Sequence, residues 1–169
     1  ISEIVDFRSM ILVERETTER VLTQVKAVDE DYPLMGEVNL FSNVILSDAL
    51  QKRKGLPGAV IEKILVDRLD LKLGDTFKLG QTQFHLGGVI ETIPDNGSDG
   101  FGLGPRTIVY TTDLEDSGLL TPGTLFSTKY RLDLKENINF DLISKSAVEK
   151  FEATGMRWKD ARNAAPGIS

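Results

Sequence analysis

The sequence predicts an α+β fold in which a β-rich central stretch separates two outer pieces of mixed α and β character. Three observations carry that expectation. Near the start, Val5, Phe7, Ile11 and Val13 are interleaved with Asp6, Arg8 and other residues, the period of a half-buried strand. Near the end, Phe140, Ile143, Ala147 and Phe151 form an apolar stripe behind Asn139, the signature of a capped amphipathic helix. Between them, glycines and prolines punctuate short β-like runs.

Taken in order, the first strand gives way to the polar run Glu14 to Arg20, a loop, and then to a second strand over Val21 to Val28. Asp29-Glu30-Asp31-Tyr32-Pro33 breaks it, since proline lacks a backbone donor and restricts the residue before it. Val38 to Phe41 reads as a short third strand. Ser47 is expected to cap a short helix through Arg53, with Gly55, Pro57 and Gly58 marking the break. From Ala59 to Leu69 the spacing is helical, because Ile61, Ile64, Leu65 and Leu69 share one face. Thr76 to Leu79 and Thr82 to Ile90 are β-like, and Gly80-Gln81 between them suits a tight hairpin.

Pro94 to Pro105, with Asn96, Gly97, Gly100, Gly102 and Gly104, reads as a loop, and Thr107 to Tyr110 as a strand. Thr112 to Ser117 is expected to make a helical turn. Leu125 to Leu134 is extended, with Phe126, Thr128, Tyr130 and Leu132 on one side. The helix behind Asn139 has Asp141 in its first turn and Gly155 as a C′ residue. Met156-Arg157-Trp158 would be a strand after it, completing a βαβ unit whose crossover is right-handed.

Composition removes whole classes of chemistry. The chain has 169 residues, a net charge of −6 and no cysteine. It therefore has no disulfide, thiolate zinc site, iron–sulfur cluster or thiol nucleophile. Its single histidine rules out a His-rich metal site. An acidic chain with a pI near 4.9 offers duplex nucleic acid little attraction, so no nucleic-acid partner is expected. No apolar run approaches the roughly 20 residues that span a bilayer, and no signal peptide is apparent. The start at Ile1 and the end at Ser169 are those expected of a piece of a longer protein.

Each candidate site fails on chemistry. Asp95 to Gly100 looks like the opening of a calcium loop, but Gly97 and Arg106 occupy the positions where an oxygen ligand and a bidentate Glu belong. Gly100 to Arg106 resembles a phosphate-cradling loop, yet it leads into a strand and not into a helix N-terminus. His85 is read as a surface or edge histidine with no serine motif or acid tied to it. Asp29, Glu30 and Asp31 are read as solvated, since consecutive residues of an extended chain do not share a face. No catalytic, cofactor-binding or metal-binding residue is assigned. The residues expected to touch a partner or cargo are Phe101, Leu103 and Arg106, in and beside the glycine-rich loop.

An ordered series of segments then brings a family into view. It comprises Val28-Asp29-Glu30-Asp31-Tyr32-Pro33-Leu34-Met35-Gly36, Gly58-Ala59-Val60 and Arg68-Leu69-Asp70-Leu71-Lys72-Leu73-Gly74-Asp75. It continues through Ile90 to Asp95, Gly104-Pro105-Arg106, Asp113-Leu114, Ser117-Gly118-Leu119 and Arg162 to Pro166. Spanning nearly the whole chain, the series resembles the extracytoplasmic domain of ABC transporter permeases of the FtsX/MacB/lipoprotein-release type, in the YbbP-like subgroup.

The resemblance implies a porter-like α/β lobe, residues 1–41 and 125–169, with a small β-rich lobe inserted at 42–124. It also implies further strand and helix before the segment matching Ile1. Such a domain has no active site and no cofactor. It lies on the periplasmic face of the bacterial inner membrane, in a dimeric or pseudo-dimeric transporter. A separate cytoplasmic ATPase drives it by mechanotransmission, and it meets an apolar cargo (lipid or lipoprotein) or a periplasmic protein. The competing expectations are a soluble hydrolase acting on lipids or esters, for which His85 would be the base, and a stand-alone binding domain.

Overall fold

Ser2–Glu14 (β1) and Thr18–Val28 (β2) zip into a long antiparallel hairpin, in register from Ile4 opposite Val28 to Glu14 opposite Thr18. The computed structural model describes residues 1–94, 104–120, 125–134 and 138–151. The strands meet across a shorter connection than the polar run suggested, because Glu14 and Thr18 to Arg20 are ladder residues with exposed side chains. After them come Asn39–Leu40 (β3), Leu46–Ala49 (α1), Gly58–Glu62 (β4), Lys63–Arg68 (α2), Thr76–Leu79 (β5) and Thr82–Thr92 (β6). Arg106–Tyr110 (β7), Phe126–Arg131 (β8), Phe140–Phe151 (α3) and two 3-10 turns, Phe41–Asn43 and Thr111–Leu114, complete the described elements.

Among the described residues all eight strands belong to one sheet, and six of them close on themselves in the order β1, β2, β7, β4, β6, β5 and back to β1. The β2–β7 and β4–β6 pairings are parallel and the other four antiparallel. The result is a small barrel whose interior is filled by side chains, as a ring of this size requires. β8 lies along the first half of β1, pairing Ser2 with Arg131 and Phe7 with Phe126, and β3 pairs with the end of β6.

Two apolar layers flank the barrel wall. The interior holds Phe7, Ile11, Val25, Ile61, Phe77, Leu79, Phe84, Leu86 and Val109, to which α2 adds Leu65 and Val66 and its C-cap adds Leu69. Phe77 and Phe84 stack with ring centroids 6.0 Å apart. Outside, Ile4, Val28, Val60, Ile90 and Ile108 point away from that interior. They are buried beneath Tyr32, Leu40, Leu46, Ala49 and Leu50 of the segment that carries β3 and α1. Strand alternation thus supplies both layers: Val60 and Ile61, or Ile108 and Val109, face opposite sides and both are buried.

This double burial corrects the helix expected from Ala59 to Leu69. Gly58–Glu62 is a strand pairing with β6 and β7, and only Lys63–Arg68 is helical. A strand covered on both faces reads as a continuous apolar run, which periodicity alone does not separate from a helix. Ile64, expected on the apolar face, is 66% exposed. The short helix also differs at its start: Ile45 is the N-cap of α1, no side chain caps it, and Ser47 sits inside the helix.

A bulge in β6 re-aims half a strand. Ala59 pairs with Leu86 but Val60 pairs with Gly88, so Gly87 is the extra residue. Phe84 and Leu86 before it face the barrel interior, whereas Ile90 after it faces the outer layer and Val89 packs inward. Without the extra residue the even positions would stay on one face. Glycine is required there because a Cβ on Gly87 would overlap the Ala49 carbonyl oxygen, as would one on Gly58. The hairpin expected at Gly80-Gln81 is present, with Gly80 at φ 57° and β5 and β6 meeting at Leu79 opposite Thr82.

The chain divides into two compact units, Ile1–Leu132 and Asp133–Ser169. The β1–β5 and β2–β7 pairings run across the position, between residues 41 and 42, at which the sequence suggested a lobe boundary. In the second unit α3 is capped as expected, the Leu142 N–H donating to Asn139 Oδ1 at 3.3 Å. The expected C′ glycine, Gly155, and the strand Met156 to Trp158 lie outside the described residues.

Candidate contact surface

Of the three residues expected to meet a partner, Phe101 and Leu103 lie outside the described residues, as does the calcium-like segment from Asp95 to Gly100. Arg106 is described and opens β7, half-buried, its backbone N–H donating to Glu62 Oε2 at 2.6 Å. The chain just before it is firmly held. The Pro105 carbonyl accepts from the Gln24 N–H at 2.9 Å and from Thr23 Oγ1 at 3.1 Å, and Thr23 and Thr107 share a buried hydroxyl bond of 2.7 Å. Pro105 is thus tied to β2, and β2 and β7 run in parallel register from Gln24 opposite Arg106.

His85 is a structural residue, not a surface one. It is 5% exposed, and its Nε2 lies 2.8 Å from the Gln51 carbonyl oxygen, fastening the chain that leaves α1 to β6. Alternation misplaced it because β6 is covered on both faces. Asp29 likewise departs from the solvated reading. Its carboxylate accepts from Ser2 Oγ at 2.8 Å, from the Glu3 N–H at 2.6 Å and from the Asp31 N–H at 3.2 Å, clamping the start of β1 to the end of β2. Charge-assisted bonds of this kind are among the stronger ones.

The remaining polar chemistry is modest. Burial pushes the Asp113 carboxyl above its ordinary range, and the nearby Lys52 charge opposes that. Burial also raises Tyr110, with the carboxylates of Glu30 and Asp113 adding to the effect. A pocket of about 330 Å³ lies beside them, lined by Thr111, Thr112, Leu114, Glu115, Gly118 and Leu120. No described hydrogen bond joins a serine or threonine hydroxyl to His85 there or elsewhere, and among the described residues no group of acidic and histidine side chains gathers as a metal site.

The exposed apolar surface is clearer on β8. Of the residues expected on one side of this stretch, Phe126, Tyr130 and Leu132 are 47%, 51% and 46% exposed and Thr128 is half-buried. The strand is held to β1 by its ladder and by Lys129 Nζ, 3.3 Å from Asp6 Oδ2. Periodicity located this row without showing which side of it was covered.

Comparison with known proteins bears on this arrangement. No protein-family model matches the chain. The ABC transporter permease YbbP of Escherichia coli K12 is 28% identical over 116 residues, which make up 69% of this chain and 14% of that protein. The chain is similar to ABC transporter permeases. Two solved structures share its fold. The periplasmic region of MacB from Actinobacillus actinomycetemcomitans has a TM-score of 0.56 at 13% identity, covering 90% of this chain and 66% of that one. A permease domain from Porphyromonas gingivalis has a TM-score of 0.55 at 15% identity, covering 90% and 69%. The α+β class and the resemblance read from the permease-like segments both hold. The chain spans about a seventh of the curated permease it matches.

Proposed function

We propose that this chain is a noncatalytic extracytoplasmic domain of an ABC transporter permease, on the periplasmic face of the bacterial inner membrane. It couples ATP hydrolysis by a cytoplasmic ATPase subunit to the movement or release of an apolar cargo, or to a periplasmic partner, in a dimeric or pseudo-dimeric transporter. The observation that carries this reading is the similarity to YbbP across two thirds of the chain, together with the fold shared with the MacB periplasmic region.

The physics of the barrel supports it. A transmission element must keep its shape under load, and a closed sheet has no free edge within its ring along which to slip. Packed interiors transmit displacement because they are dense and resist compression. His85, the residue that invited a hydrolytic reading, has its Nε2 2.8 Å from the Gln51 carbonyl oxygen and so fastens the chain leaving α1 to the barrel. Contact with cargo or partner is assigned to Phe101, Leu103 and Arg106, the last of which opens β7.

The test is a double substitution, Phe101→Asp with Leu103→Asp, in the intact permease. Transport should fall at least tenfold while the thermal midpoint of the purified domain stays within a degree or two. Wild-type transport by that variant would remove the loop from the mechanism. Turnover of an ester substrate by the purified domain alone would overturn the noncatalytic reading itself.

A further inference from the structure

We draw no further inference here: the strongest candidate, the exposed apolar patch of Phe126 and Tyr130 on β8 with Leu132 just past its end, carries nothing because nothing in the structure shows what covers it.

Discussion

The barrel within Ile1–Leu132 and the helix α3 obey different rules. In the barrel, Phe7, Ile11, Ile61, Leu79 and Phe84 are wholly buried, each held by neighbours from several strands. In α3, only Ala147 is buried, while Leu142 and Val148 are 65% and 47% exposed. The barrel derives its order from long-range packing. The supports described for the helix are local ones: the Asn139 cap, Asp141 in its first turn and Lys150 in its last. A helix of 12 residues with so little of its surface covered is marginal on propensity alone.

That contrast breaks most visibly under core truncation. Phe84→Ala removes a ring stacked on Phe77 and should destabilise the domain by about 3–5 kcal/mol. Leu142→Ala on α3 should cost under about 0.5 kcal/mol, as exposed substitutions do. Paired denaturant titrations check this, and equal losses would erase the distinction between the two regions. Within the barrel, Gly87→Ala sharpens the comparison by adding atoms where none fit. Overlap with the Ala49 carbonyl should cost about 1–3 kcal/mol. The loss should be accompanied by faster amide exchange in α1, measured by hydrogen exchange.

A smaller effect is expected at the end of the hairpin. Asp29→Ala removes acceptors from Ser2 Oγ and the Glu3 N–H and should lower stability by about 1–2 kcal/mol, read from the urea midpoint. The smallest concerns Asp113, whose carboxyl titrates above its unfolded-state value near 3.9. A raised folded-state pKa means that the proton favours the fold: this contribution is complete below about pH 3.9 and lost as pH rises through the folded value. Asp113→Asn should therefore stabilise the protein slightly at pH 7 and leave it unchanged at pH 3. A gain that grew toward acid pH would contradict the desolvation of this group.

Much of the barrel was legible before any coordinates. The β1 alternation, the Gly80-Gln81 turn and the Thr107–Tyr110 strand follow from periods and turn residues that act over a few positions. The candidate contact residues were less so. Of Phe101, Leu103 and Arg106 only the last is described, and its anchoring depends on Glu62, far away in the chain. Gly87-Gly88 was the one available sign of the bulge, since paired glycines within a strand pattern mark irregular backbone. The sense in which it re-aims Ile90 depends on a neighbouring strand.

The sequence by itself determined the α+β class, the absence of thiol and disulfide chemistry, the Gly80-Gln81 hairpin and the capped helix, because each rests on residue type or on short-range spacing. Only the tertiary structure decided that Gly58–Glu62 is a strand, that His85 is buried and that six strands close into a ring. Those outcomes depend on what covers the second face of each strand. Local patterning records one exposed face at most, while a strand with partners on both sides has none to reveal.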